Sequence, residues 1–466
     1  MKSSSTVLYV NDTIAAIATA PGQGAVGIVR LSGVDALHIL SQIFTPKNHL
    51  ESHRMVYGKI YKNGKNGKEI IDEVMVCPMK APRSYTCEDV VEIYTHGGML
   101  VSRSVLQTVL DSGARLAQPG EFTKRAFLNG RINLSQAEAV MDIISAGSET
   151  ARRVGLKQLG GGLSRHISNL RDKILLWLAH IELSIDYPEH EEEAKNAEEI
   201  LGESDEVLAE LNRLCDSAKI GRVLKEGVKT AIIGRPNVGK STLLNAILKE
   251  DRAIVHEQAG TTRDVLTEHV LINDVPLMIM DTAGIRETTN QIEKMGVEKS
   301  LEAAKDAELI LYVIDSHEGF LDTEFLESIT HHSNIITILN KCDLPDSSIT
   351  SFPYDSTSKL LNPVKISAKT GEGLEKLYAQ ISETFLSSIN QTTTELEIIT
   401  RERHRSLIEK AANHINQAIE ALNQNTPEDL VAIQLRTAYI ALGEILGLEI
   451  EDDIVDRIFS EFCVGK

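Results

Sequence analysis

The residues best suited to chemistry in this chain lie between Gly234 and Ser241, in the run Gly-Arg-Pro-Asn-Val-Gly-Lys-Ser. The apolar stretch Val228 to Ile233 leads into it, and Thr242-Leu-Leu-Asn-Ala-Ile-Leu follows. A buried strand that passes through a glycine-rich turn into a helix aims several backbone N–H groups at one point, and such a nest holds phosphate oxygens. Asn237, Val238, Gly239, Lys240, Ser241 and Thr242 form that cradle. In this pattern Lys240 reaches the β- and γ-phosphates and the Ser241 hydroxyl sits on Mg²⁺.

Three further motifs follow in order. Asp281-Thr282-Ala283-Gly284 closes a strand, placing a carboxylate near the Mg²⁺ shell and a glycine N–H where a γ-phosphate would sit. Asn340-Lys341-Cys342-Asp343 follows the apolar run Ile335 to Leu339. The Asp343 carboxylate can accept two N–H bonds from the N1 and N2 edge of guanine, which adenine lacks. Ser367-Ala368-Lys369 completes the base pocket. Together these predict GTP as the ligand. Gly260-Thr-Thr-Arg-Asp264 falls where a loop is ordered by the γ-phosphate and Mg²⁺, with Thr262 the expected second Mg²⁺ ligand and Thr261 a close rival. Ile285 stands where a Ras-like protein carries its water-orienting glutamine, and an aliphatic side chain cannot do that work. Arg286, Glu287 and Glu293 are the polar groups downstream, each equally readable as a solvated charge.

The elements around these motifs are partly legible. Residues 226 to about 385 alternate strand and helix signals, which predicts mostly parallel strands covered by helices, with a hairpin turning at Asn273-Asp274. Residues 6 to about 125 mix short β-type runs, such as Ala25 to Leu31, with a hairpin connection at Asn63 to Gly67 and one helix over Met99 to Ser112, an α+β pattern. Between them, Ala137, Val140, Met141 and Ile144, then Ile167 to Ile185, recur every three or four residues until Pro188, and a second such stripe runs from Leu407 to Leu422. Thr426-Pro-Glu-Asp starts another helix. Whether the helical segments form two bundles or one interrupted bundle is not set by periodicity.

At 466 residues the chain is long enough for about three domains. Its 48 Lys and Arg against 67 Asp and Glu give a formal charge of −19, which argues against a surface that is wholly a nucleic-acid footprint. Five scattered cysteines without C-x-x-C pairs indicate neither a zinc site nor a disulfide framework, and no apolar run approaches the roughly 20 residues of a membrane span. A soluble, cytoplasmic protein is the expectation.

With these motifs set between helical segments and a final Phe462-Cys463-Val464-Gly465-Lys466, the chain resembles the MnmE (TrmE) family of tRNA-modification GTPases. The likeness extends to Ala20-Pro-Gly-Gln-Gly-Ala-Val-Gly-Ile-Val-Arg30, to Glu88-Asp-Val-Val-Glu-Ile-Tyr-Thr-His-Gly-Gly98 and to Pro119 through Arg131. It implies a multidomain α+β, all-α and α/β protein: a folate-binding and dimerising domain over 1–125, a helical domain in two pieces over 126–224 and 386–466, and a Ras-like GTPase domain over 225–385 inserted between them. It implies K⁺ held by Asn237, with His256, Gln258 and Thr261 as further ligands; His256 replaces the usual threonine. It also implies that Glu293 positions the attacking water when two such domains meet in a homodimer. A tetrahydrofolate derivative, 5-formyl or methylene, would bind at Arg30, Glu92 and Arg131 with Lys466 reaching the same place; Arg131 stands where some members have lysine. Cys463 becomes a candidate reactive residue, and Cys87 departs from a glycine common in its loop.

The resemblance thus predicts GTP hydrolysis coupled to C5 modification of the wobble uridine of tRNA, with an FAD-dependent partner of the MnmG (GidA) type. Two other classes bear on the same motifs. A GTP-switched ribosome-assembly factor would call for an RNA-binding domain with a basic face, and a dimerising GTPase scaffold without chemistry would not bind folate.

Overall fold

A computed structural model describes residues 12–64, 67–186, 197–249, 267–280, 304–317, 334–344, 363–395, 397–424 and 426–466. It divides into two compact units. One runs to Met141 and takes back Gly443–Lys466; the other is Asp142–Leu442. Among the described residues no helix is long and apolar enough to cross a membrane.

The first unit contains β1 (Ile14–Ile17), β2 (Val26–Ser32), α1 (Ala36–Ile43), β3 (Phe44–Pro46), β4 (Val56–Gly64), β5 (Gly67–Met79), β6 (Val90–His96), α2 (Met99–Asp111), β7 (Arg115–Leu116) and α3 (Glu121–Leu128). Its sheet has the order β3-β4-β5-β6-β2-β1-β7, antiparallel except where β1 meets β7. Side chains alternate across a strand, so β6 sends Val91 and Ile93 into the core and leaves Glu92 and Tyr94 half-buried on the other face. Helices α1 and α2 cover the apolar face through Ile39, Leu40, Ile43, Val105 and Val109. On the opposite face the register sets Arg30 beside Glu92, and Cys77 on the far side of Glu92. The mixed α+β content follows the sequence pattern, and β4 pairs antiparallel with β5 as far as Gly64 opposite Gly67.

Helix α4 (Leu134–Ile144) straddles the division between the units. The second unit continues with α5 (Glu149–Leu159), α6 (Gly162–Asp186), α7 (Ala197–Glu226), β8 (Val228–Ile233), α8 (Lys240–Lys249), β9 (Glu268–Ile272), β10 (Val275–Ile279), β11 (Leu309–Asp315), β12 (Ile335–Asn340), β13 (Val364–Lys365), α9 (Leu374–Glu395), α10 (Glu402–Asn423) and α11 (Glu428–Leu446). Among the described residues six strands lie in the order β13-β12-β11-β8-β10-β9, parallel except for the β9–β10 hairpin. β11 is buried along its whole length, as expected for a parallel strand covered on both faces. Leu243, Leu244 and Ile247 of α8 and Leu377 and Ile381 of α9 pack into one core with the strands.

Only Gly227 separates α7 from β8, and α10 packs along α7. The two helical segments are therefore neighbours within this unit. Where the chain leaves α9, Ile398 packs with Val154 of α5 and Leu224 of α7. The adjoining polar groups are paired: Gln158 Nε2 donates to the Ile398 carbonyl at 2.6 Å, and Asp142 accepts from Thr400 Oγ1 at 2.8 Å and from Arg401 at 2.6 Å.

The chain returns to the first unit at Gly443, near the end of α11, and continues into α12 (Asp452–Ser460). Phe459 and Phe462 are buried with Ala126, Ile132, Leu134 and Ala137. Burial of each such ring is worth about 2 kcal/mol, enough to seat the final turn. Beyond it, Gly120 N donates to the Cys463 carbonyl at 3.3 Å.

Candidate functional site

The phosphate-binding run takes the predicted form. β8 ends at Ile233, residues 234–239 turn, and α8 begins at Lys240. Gly239 has φ +99°, and a Cβ there would lie 2.2 Å from Asn340 Nδ2. Only glycine therefore lets the turn and Asn340 approach this closely. The first amides of α8 have no acceptor within the helix, and its first turn carries no acidic residue to compete for them. Asn237 is exposed at φ +64°, Val238 is buried, and Ser241 is partly buried with Thr242 exposed beside it. Lys240 Nζ donates to the carbonyls of Gly234 at 2.7 Å and Arg235 at 2.8 Å. Burial pushes the Lys240 ammonium below its ordinary pKa, and anionic oxygens beside it would act in the opposite sense.

Asn340 joins this cradle to the base-pocket residues. Its Nδ2 donates to the Val238 carbonyl at 2.8 Å, and its Oδ1 accepts from Ala368 N at 2.9 Å. The glycine-rich turn and the Ser367-Ala-Lys369 loop, far apart in sequence, are thereby held in one place by a single carboxamide. Asp343 is exposed, and a hydrogen bond from Ser367 holds its carboxyl below the usual carboxylate range. It thus stays an ionised acceptor, as recognition of two guanine N–H groups requires. Lys341, at φ +67°, donates to Asp315 Oδ2 at 2.6 Å, and Lys369 is close enough to bias Asp343 electrostatically. Asp315 is a structural partner of Lys341 that motif spacing misses. Burial alone would raise its pKa, but the Lys341 ammonium and the His317 N–H outweigh that and lower it. Its signal in the sequence is one carboxylate ending an otherwise apolar strand.

The other residues expected at the nucleotide site, Thr261, Thr262, His256, Gln258, Asp281, Thr282, Ala283, Gly284 and Glu293, lie outside the described residues.

In the first unit Arg30 and Glu92 form an ion pair at 2.8 Å, with side chains only 17% and 15% exposed. Tyr94 Oη donates to the other Glu92 oxygen at 2.6 Å, and burial followed by Glu92 pushes that phenol up to about 12. Arg30 Nη1 donates to the Gly465 carbonyl at 3.1 Å. Gly465 has φ +92°, and a Cβ there would meet the Ile17 carbonyl at 2.4 Å, so the C-terminal turn lies directly on β1. The guanidinium of Arg131 stands 4.8 Å from the Tyr85 ring centre and that of Arg30 5.9 Å from the same ring. Tyr85, which sequence patterns do not single out, thus gathers Arg30 and Arg131. Lys466 N donates to the Cys463 carbonyl at 3.3 Å, so the terminal turn is hydrogen-bonded within itself, and the Cys463 side chain is exposed.

Comparison with known proteins matches the profile of the MnmE helical domain to residues 134–463 and that of the GTP-binding protein TrmE N-terminus to residues 13–131. The chain belongs to the MnmE family. The tRNA modification GTPase MnmE of Finegoldia magna is 44% identical over 462 residues, covering 98% of this chain and 100% of that one. That of Streptococcus pneumoniae strain Hungary19A-6 is 46% identical over 464 residues, 98% and 99% of the two chains. Among solved structures, the G domain of the Thermotoga maritima FeoB iron transporter is 28% identical over 34% of this chain and 97% of its own, at a TM-score of 0.24, too low to bear on the fold.

Proposed function

We propose that this chain hydrolyses GTP and acts in tRNA modification, as the names of its family relatives indicate. The observation that carries the reading is the Asn340 bridge between the phosphate cradle and the Ser367-Ala-Lys369 loop, beside an ionised Asp343. That arrangement suits a guanine base at one end and a chain of phosphates at the other.

In this reading the α8 amides and Lys240 hold the β- and γ-phosphates, Ser241 and Thr262 hold Mg²⁺, and Asp281 to Gly284 sense the γ-phosphate. Glu293 orients a water for attack on the γ-phosphorus, breaking the bond to the β–γ bridging oxygen and releasing GDP and phosphate. Asn237, exposed at the cradle, would hold K⁺ with His256, Gln258 and Thr261. When bound, K⁺ supplies the charge compensation that other GTPases take from an arginine. Glu293 acts in a homodimer whose GTPase domains meet.

The first unit carries the companion site. Glu92 presents a two-oxygen acceptor, Tyr85 gives flat apolar surface, and Arg131 and Lys466 bring cations. This set fits a tetrahydrofolate derivative, a ring with an N–H edge and an anionic tail. Cys463 is the candidate reactive residue at the same end of the unit. An FAD-dependent partner of the MnmG (GidA) type would complete addition of an aminomethyl or carboxymethylaminomethyl group at the wobble uridine, supplying basic surface that a chain of net charge −19 lacks.

The test is GTP hydrolysis by the full chain in K⁺ and in Na⁺, for the wild type and Asn237→Ala. The expected result is a rate at least tenfold higher in K⁺, a preference lost in the variant. Equal wild-type rates in both salts would remove the K⁺ site, and no hydrolysis in either would remove the GTPase.

A further inference from the structure

The hairpin β9–β10 connects the two loops expected to sense the γ-phosphate. Glu268 begins β9 four residues after Asp264, and Asp281 stands two residues beyond Ile279, where β10 ends. The turn lies at the opposite end of the hairpin, about 17 Å away for strands of this length. It is built by Asn273 at φ +45° and Asp274 at φ +71°, both left-handed as in a type I′ turn. Glycine is favoured at the second position of such a turn; an aspartate there holds a backbone that side chains disfavour.

The Asp274 carboxylate reaches α5. Oδ1 accepts from Glu149 N at 2.7 Å, and Oδ2 accepts from Thr150 N at 3.0 Å and from the Thr150 hydroxyl. These two amides open the helix and have no acceptor inside it. The next amide, Ala151 N, is held by the helix's own cap, Ser148 Oγ, at 3.1 Å. A carboxylate is also the favoured charge at a helix N-terminus. The other end of α5 is fixed where the chain leaves α9, through Gln158 and the Ile398 carbonyl. Helix α5 therefore runs from the tip of the inter-loop hairpin to the root of the strand-and-helix part of the unit.

We propose that Asp274 couples the nucleotide site to the helical part of the second unit. A change of nucleotide at the arms of the hairpin makes or breaks the bonds of its carboxylate to Glu149 and Thr150, and α5 passes the change to the segment around Ile398. The inference rests on the GTP reading above, and Asp274 is in it a positioning residue that touches no nucleotide. A simple cap would be insensitive to nucleotide, whereas a coupling element must differ between two states.

Residue-resolved hydrogen exchange on the full chain tests this, with GDP or a non-hydrolysable GTP analogue in Mg²⁺ and K⁺, and binding measured in the same samples with a fluorescent guanine nucleotide. The Glu149 and Thr150 amides should exchange at rates differing at least tenfold between the two nucleotides, with Ala151 unchanged as internal control. Asp274→Ala should abolish the difference, and Asp274→Asn should restore part of it. Bound nucleotide with equal wild-type rates overturns the coupling and leaves the GTP reading standing. Absence of binding overturns both. The wild-type comparison decides even if Asp274→Ala does not fold.

Discussion

Asn340 shows how one residue can serve two motifs: its amide nitrogen holds the glycine-rich turn at Val238 and its oxygen holds the Ser367-Ala-Lys369 loop at Ala368. Arg30 does comparable work in the first unit, binding Glu92 and the Gly465 carbonyl together. Removing the guanidinium would leave a half-buried carboxylate without its cation and free the C-terminal turn. Titration of 5-formyltetrahydrofolate by calorimetry should therefore show binding to the wild type and a loss of at least tenfold in Arg30→Ala. Absence of binding to the wild type would favour the scaffold reading. The Gly234 to Ser241 turn was legible because it is local in sequence: a strand, a turn and the start of a helix. Tyr85 and Asp315 were not, since their roles come from residues that only folding brings near, Arg30 and Arg131 for the first and Lys341 for the second.

The helices of the second unit divide in the same way. α6 announces itself by Ile167, Leu170, Ile174, Trp177 and Ile181, all buried at helical spacing. α5 leaves no such trace. Its buried positions include Thr150, Gly155 and Gln158, and Gly155 is small because Ile143 lies against it, where a Cβ would meet Cγ1 at 2.8 Å. Helices α1 and α3 have only eight residues each, too few for their period to stand out. For α5, Ser148→Ala removes the acceptor of Ala151 N and should cost the second unit about 1 kcal/mol. Trp177 is the single tryptophan and is fully buried, so its fluorescence in a urea titration reads that unit. An unchanged midpoint would mean that the Ala151 amide finds another partner.

Across the whole molecule, acid sensitivity has a local source in the first unit. Asp12 and Glu121 share Arg115 and Arg125. Burial would raise both carboxyls, but the two guanidiniums hold them below their ordinary values of 3.8 and 4.5. In the pH range just below those values the unfolded chain binds more protons than the native one, so stability rises with pH there. The contribution is complete above the ordinary values and is lost as pH falls through the lowered ones. Thermal scans by circular dichroism should thus show a first-unit midpoint that is level near neutrality and falls in acid, with a shallower fall in Arg125→Ala. An acid-independent wild-type midpoint would contradict this.

Arg30 and Gly465, joined by one hydrogen bond, are 435 positions apart in the chain. A ribosome adding about 5–20 residues each second would make the second roughly 20–90 s after the first. During that interval the nascent first unit lacks α12, Phe462 and the terminal turn, and must wait with its aromatic seat uncovered while the whole second unit is synthesised. Birth order thus begins this unit before the second and finishes it after, and an interrupted polypeptide would carry the arginine without the carbonyl that holds it.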